Sequence, residues 1–319
     1  MGEYDLDSEE LGLVDEGELT EKLVGLFHQK NYSPPRLPAV AMELVALSQK
    51  PNVDFDQIHS LLENDAVLAG ELLGIARSAF YSGSRQVTSL QEALVRLGLE
   101  KLRDITLQAA MNLRVFRSKA YADCKEQLRR HSYATAHLSR IVCRYTPMPE
   151  DQAFLCGLLH DVGFAGIFLA LADVPRGQQA PDLSLLWPAI HGAHAQAAAR
   201  MVQLWNLPPD VSLTVNLHHQ VRSEGFDHPI AAIVCLAEAL AGEIDMALIP
   251  AQAKGAAKVP TGLFNLGNYC HVDQSDAATL KRAETALGLS ESQMHAVRDD
   301  ARAWAKAAAE PALAGAGAR

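Results

Sequence analysis

The sequence predicts an all-α protein, a multi-helix bundle with an N-terminal helical subdomain, on three observations. Ala and Leu recur throughout while aromatic residues make up only 6%, which favours helix packing through small and aliphatic side chains over a β-rich core. Apolar positions fall at helical spacing in one segment after another, and runs of Val, Ile, Thr and aromatics at period two are absent. Prolines and capping residues punctuate those segments. With 319 residues, 49% of them hydrophobic, the chain can bury one large helical domain or two smaller ones closely joined.

The elements follow in order. Leu19 to Gln29 reads as a first helix, and the prolines at 34, 35 and 38 forbid its continuation. Helical patterns then run from Ala39 to Gln49, Phe55 to Glu63 and Ala66 to Arg77, with Asp54 and Asp65 as caps. Ser89-Leu90-Gln91-Glu92 is a capping-box pattern opening a helix that Gly98 breaks. A long helix from about Ala120 to Arg144 ends before Pro147 and Pro149. Asp151 to Asp161 is helical with Gly163 marking its end, and Phe164 to Ala172 follows at once. Further helices are expected at Leu183 to Ile190, Gly192 to Trp205, Pro209 to His219 and Pro229 to Glu243, the last two with proline where a helix start tolerates it. Met246 to Asp273 reads as a long connection, and Asp276 to Leu287 and Glu291 to Ala309 close the helical run before a fraying tail.

Charge and cysteine usage narrow the function classes. The formal net charge is −10, yet the first 18 residues carry eight of the acids and no Lys or Arg, leaving 30 acidic against 28 basic residues in the rest. A nearly neutral body lacks the basic surface that neutralises phosphates along a duplex, so direct nucleic-acid binding is disfavoured. The acidic head reads as a solvated extension. Five cysteines without a CxxC pair do not form a disulfide framework, and a reducing cytoplasm suits them. The start lacks the features of a secretory signal, and no apolar stretch is read as approaching eighteen residues, so neither export nor a membrane span is expected.

Histidines carry the chemistry. Among twelve, His131, His160 followed by Asp161, His194, and His218 with His219 each fall on a separate predicted helix, as does the acid Glu238. Ligands on successive antiparallel helices can converge on a divalent metal. In mid-helix His160 and Asp161 would diverge by about 100°; at a helix end both can turn inward. His218 and His219 cannot both project the same way if helical, so one of them reads as a supporting residue. His191, three residues before His194, is an additional ligand candidate. Trp187, Trp205 and Tyr81 read as core anchors with no role in the site.

The order His131, His160-Asp161, His194, His218-His219 and Glu238 resembles the ligand order of the HD-superfamily phosphohydrolases, including the HD-GYP cyclic-di-GMP phosphodiesterases. Upstream, Leu37-Pro38-Ala39-Val40, Leu61-Leu62-Glu63-Asn64-Asp65, Leu72 to Tyr81 and Ser89 to Gly98 are similar to the HDOD signature, as is the stretch from His194 through Trp205-Asn206-Leu207-Pro208 to His218-His219. The resemblance covers about Tyr32 to Gly242. It implies an HD-like (HDOD) bundle over 32–242, with an N-terminal helical part at 32–118 and an HD-like part at 119–242, preceded by an acidic extension with one helix (1–31) and followed by a loop and C-terminal helices packing on the HD-like part (243–319).

Departures from the family pattern bear on activity. Ala66 stands where HDOD proteins commonly have proline, and Arg77 where they have asparagine. Hydrolytic HD-GYP proteins read HDxGK, whereas this chain reads His160-Asp161-Val162-Gly163-Phe164. A lysine there offers a cation to a phosphate, and a phenylalanine cannot. The GYP motif is absent, and Glu238 replaces the usual late aspartate.

The resemblance therefore implies a cytoplasmic, regulatory signal-transduction protein that works by binding other proteins or a small ligand, without hydrolytic activity and with a residual metal site. The alternative is a metal-dependent phosphohydrolase acting on a cyclic dinucleotide or other phosphoester, with Asp161 as its catalytic residue. A metal-free helical scaffold is the third reading. The expected metal is Fe, Mn, Ni or Zn, held by His131, His160, Asp161 and Glu238 and extended by His194 and one of His218 or His219. Expected partners are signalling proteins acting in trans and a nucleotide second messenger.

Overall fold

The structure is a computed structural model that describes residues 16–34, 121–174, 179–248 and 276–308, together with the isolated positions Glu43, Ile58, Glu92, Val95 and Gly98. The chain divides into two compact units, Met1–Pro35 with Val115–Val297, and Arg36–Arg114 with Arg298–Arg319. In the second unit the five isolated positions are helical, and Gly98 has φ +72°, the left-handed backbone expected where a helix breaks. The helices expected between Ala39 and Arg77, with their caps Asp54 and Asp65, otherwise lie outside the described residues.

In chain order the elements are α1 (Glu16–His28), α2 (Ala122–Cys143), α3 (Glu150–Leu159), α4 (Val162–Ala172), α5 (Leu183–Leu204), α6 (Pro209–Leu217), β1 (Arg222–Ser223), β2 (Phe226–Asp227), α7 (Pro229–Glu243), α8 (Ala277–Ala286) and α9 (Glu291–Ala308). The fold is all-α apart from the small hairpin. Pro209 and Pro229 occupy the first turns of α6 and α7, where a missing N–H costs nothing. Asp276 caps α8 through the backbone N–H of Thr279 at 2.7 Å.

Three local readings are corrected. Gly163 does not end a helix: α3 stops at Leu159, and Gly163 lies in the first turn of α4, where its missing side chain matters for packing against α5. The two helices expected between Leu183 and Trp205 are one, α5, which runs through Pro188 and Gly192. A glycine costs a helix about 1 kcal/mol relative to alanine, but here it makes room for α1, since a Cβ at 192 would stand 3.1 Å from the side chain of Thr20. The hairpin was not expected at all. Glu224 and Gly225 both have positive φ, 50° and 87°, the pairing a tight type I′ turn requires, and two-residue strands leave no periodicity to read.

Residues Glu150–Ala172 are, by length and composition, apolar enough to cross a membrane, contrary to the reading that no such stretch exists. The segment is not one helix, however. It breaks at His160-Asp161 between α3 and α4, and 89% of its apolar 18-residue stretch is buried inside the fold, so its apolar character supplies the core that surrounds two polar residues.

Around that core, α2 packs on α3 and α7, α4 and α6 pack on α5, and α7 packs on α8. α1 also lies against α5. It buries Leu19, Leu23 and Phe27 at spacing four, the stripe that an amphipathic helix presents to a core. Phe27 sits where a side chain on Gly166 would be, 2.8 Å from an added Cβ, and Arg200 donates to the Phe27 carbonyl at 3.3 Å. Phe27→Ala is expected to destabilise the fold by about 3–5 kcal/mol, read as a lowered urea midpoint. A change under about 1 kcal/mol would mean that α1 is not part of the core.

Candidate metal centre

The site is built where α3 ends. His160 closes α3 in helical geometry, and Asp161 follows at φ −104°, ψ 12° as the N-terminal cap position of α4. An aspartate there ordinarily accepts a hydrogen bond from the first turn. Asp161 makes none; its carboxylate turns instead toward the histidines. Oδ2 lies 3.1 Å from Nε2 of His160 and 3.5 Å from Nε2 of His131, and Oδ1 lies 3.5 Å from Nε2 of both His194 and His218.

His131 projects from the middle of α2, His194 from α5 and Glu238 from α7. α6 stops at Leu217, so His218 and His219 stand on a turn rather than on a helix. That frees both to point inward, their rings 4.0 Å apart, and corrects the expectation that only one of them could. The turn is held by Val221, which is buried and whose φ of 61° is a real outlier for a β-branched residue. Such a conformation costs on the order of 1–3 kcal/mol. Two backbone hydrogen bonds secure it, from the Val221 N–H to the Leu217 carbonyl at 2.7 Å and from the His228 N–H to the Val221 carbonyl at 2.8 Å.

Four of these rings are anchored through Nδ1 to a backbone carbonyl: His131 to Met246, His160 to Gly157, His194 to His191 and His218 to Val215. A carbonyl only accepts, so each Nδ1 carries the proton and each Nε2 presents its lone pair. Those Nε2 atoms face one another. They stand 3.2 Å apart between His131 and His160 and 3.3 Å between His194 and His218, and Nε2 of a fifth ring, His219, lies 3.2 Å from that of His194. Lone pairs at that distance repel unless something positive lies between them.

A proton is disfavoured in that role. Burial, with the neighbouring His160 ring second, pushes His131 down to about 4; burial likewise holds His194 and His219 well below the ordinary imidazole value and lowers His218. Both Asp161 oxygens are buried without a hydrogen-bond donor, an arrangement that costs several kcal/mol unless a cation compensates it.

A divalent metal fits these donors. Two imidazole nitrogens about 2.1 Å from one cation and roughly 90–100° apart at it stand ~3.0–3.2 Å from each other. The ligand atoms fall into two groups, His131, His160 and Glu238, and Asp161, His194, His218 and His219, with the atoms of each group within 4.8 Å of one another. Asp161 faces both, one oxygen to each. Every one of the seven residues singled out in the sequence is thus at the cluster, and the buried cluster could hold a metal.

His191 lies at its margin, its ring 5.1 Å from His194 and 5.5 Å from His219, with Nε2 buried and without a hydrogen-bond partner. Sequence reasoning missed two features. One is the set of backbone carbonyls that orient the rings. The other is aromatic: Phe164 stacks on His194 at 4.3 Å and 8°, and on Trp187 at 5.3 Å and 2°. Trp187, read as a core anchor, is therefore the outer plate of a stack that ends on the site.

A helical bundle that buries one histidine-rich, aspartate-centred cluster defines the class of protein. Within it, residues 35–221, more than half of the chain, match the HDOD domain family, and the chain belongs to that family. A curated relative from Treponema pallidum (strain Nichols), of uncharacterised function, is 26% identical over 214 residues; the match covers 63% of this chain and 40% of that protein.

Three solved structures share the fold. An HDOD domain protein of unknown function from Geobacter sulfurreducens is 20% identical with a TM-score of 0.65, covering 93% of this chain and 99% of its own. A protein provisionally named a metal-dependent phosphohydrolase, from Shewanella amazonensis SB2B, is 18% identical with a TM-score of 0.64, over 92% of this chain and 98% of its own. One provisionally named a signal transduction protein, from Marinobacter aquaeolei VT8, is 19% identical with a TM-score of 0.60, over 98% of this chain and 67% of its own.

Proposed function

We propose that this chain is a regulatory, signal-transducing HDOD protein of the cytoplasm, organised as an acidic extension, an HDOD domain over 32–242 and a C-terminal helical segment. It works by binding rather than by hydrolysis and holds divalent metal in its histidine cluster. The observation that carries the reading is Phe164. It is fully buried between Trp187 and His194, so the position beside Asp161 from which a cation could meet a phosphate is filled by an aromatic ring. Its partners are signalling proteins acting in trans and a nucleotide second messenger, and any effect on transcription is indirect.

His131, His160 and Glu238 would hold one cation and Asp161, His194, His218 and His219 a second, the Asp161 carboxylate spanning the two. Imidazole and carboxylate donors suit Fe, Mn, Ni or Zn. This donor set is also what favours the second reading, a metal-dependent phosphohydrolase: bound cations would acidify a water and neutralise phosphate oxygens, and Asp161 would be the residue at the chemistry. The Shewanella relative's provisional name fits that reading, and the Marinobacter relative's fits the first.

Elemental analysis of the purified chain beside a His160→Ala/Asp161→Ala variant, followed by a phosphodiesterase assay on metal-replete protein, separates the two. Near-stoichiometric metal in the wild type, lost in the variant, with no turnover by either, is the expected result. Turnover by the wild type that the variant abolishes would overturn the binding reading.

A further inference from the structure

The stacked rings suggest how one half of the cluster is held. An imidazole turns easily about its last side-chain torsion, which is broad and roughly two-fold. The contact from Nδ1 of His194 to the His191 carbonyl fixes one edge of the ring but leaves it free to tilt about that edge. Tilting would swing Nε2 away from Oδ1 of Asp161, 3.5 Å off, and from the Nε2 atoms of His218 and His219 at 3.3 and 3.2 Å. Phe164 lies flat over the imidazole at 4.3 Å and 8°, in the space a tilting ring must sweep, and Trp187 backs it at 5.3 Å and 2°. All three side chains are buried. His194 also meets His218 edge to face at 5.3 Å and 73°, as His131 meets His160 at 5.2 Å and 63°; the flat stack of Phe164 is an additional contact on His194.

We infer that Phe164 is a positioning residue for the cation subsite of Asp161, His194, His218 and His219, keeping the His194 ring in the plane that aims Nε2 at the cation. The inference rests on the metal reading above. Groups that orient a ligating histidine typically change metal affinity by about 10–100-fold when removed. Phe164→Leu keeps an apolar side chain but removes the plane, so it should weaken this subsite by that factor and leave the His131, His160 and Glu238 subsite near its wild-type affinity.

The test titrates Co(II) into the metal-free full chain, reading calorimetric heats and the visible absorption of the bound ion. His194→Ala identifies the signal of the subsite by removing it. The expected result is a Phe164→Leu chain with wild-type circular dichroism in which that same signal is shifted and saturates at about 10–100-fold higher Co(II). Trp187→Phe, which keeps a ring behind Phe164, should bind as the wild type does. If Phe164→Leu does not fold, Trp187→Leu lets Phe164 tilt and should show the same selective loss in weaker form. A Phe164→Leu chain, or a Trp187→Leu chain where that one does not fold, that binds both ions with wild-type affinity and spectrum would overturn the inference. A wild-type chain that takes up no Co(II) would instead overturn the metal reading beneath it.

Discussion

Gly163→Ala is expected to cost the protein at least about 3 kcal/mol and to abolish metal uptake, the largest effect anticipated for a single added methyl group among the described glycines. A Cβ at position 163 would lie 1.9 Å from the carbonyl oxygen of His194, 2.9 Å from its carbonyl carbon and 2.7 Å from the backbone nitrogen of Ala198. These are backbone atoms of α5, so no rotamer change relieves the clash; the helices must part by more than an ångström. Overpacking a tight core costs ~1–3 kcal/mol where side chains can give, and more where they cannot. Parting α4 from α5 also carries His194 away from Asp161, only two residues before Gly163. Urea unfolding and metal content together check this. An alanine variant with wild-type midpoint and metal would show that the helices do not approach so closely.

Much of this was legible in the sequence, and the pattern of what was not is physical. Helices with a clear apolar stripe and a proline at one end, such as α2 and α7, were readable to within a residue or two because stripe and breaker agree. Gly163 was misread because glycine signals both a helix end and a close approach, and only the neighbouring helix says which. Gly192 was misread for the same reason, its partner being Thr20 on a segment more than 170 residues earlier. The seven polar residues of the cluster could be picked out because imidazoles and carboxylates recur on otherwise apolar helices. Their pairing could not, since it depends on α6 ending at Leu217 and letting both His218 and His219 turn inward. The carbonyls of Gly157, His191, Val215 and Met246 that set the tautomers leave no mark in a sequence at all, because every residue has one.

The site also extends past the part of the chain that matches the family. The match ends at residue 221, yet Glu238 supplies a carboxylate to the first ligand group and the Met246 carbonyl orients His131 at 2.9 Å. α7 and the turn after it therefore belong to the functional unit. Their contribution is a donor and an orienting contact rather than a motif.

Acid should begin to destabilise the metal-free chain near pH 6.5, above the range in which carboxylates titrate. His131 and His137 are pushed down to about 4 and about 3 in the folded protein, in both cases chiefly by burial, and His137 further by the nearby Arg140 and Arg144. In the unfolded chain each returns to about 6.5. Between those values the unfolded state binds protons that the folded state refuses, so stability falls as pH falls, from about pH 6.5 down through the folded values. A gap of this size is on the order of 3 kcal/mol or more for each imidazole, and two of them are comparable with the whole stability of a typical domain, about 5–15 kcal/mol. Metal changes the shape of the curve without changing its sign. A cation bound at Nε2 stabilises the folded state near neutrality by mass action and competes with protons for the same lone pairs. The loaded chain should start higher, fall more steeply and meet the metal-free curve near pH 4, with His137, which is not a ligand, contributing equally to both. Urea midpoints from pH 7 to 4, with and without added Mn(II) or Zn(II), measure it. Midpoints that stay flat over that range in the metal-free chain would mean the buried imidazoles are not neutral, and two curves that never differ would mean the cluster holds no cation.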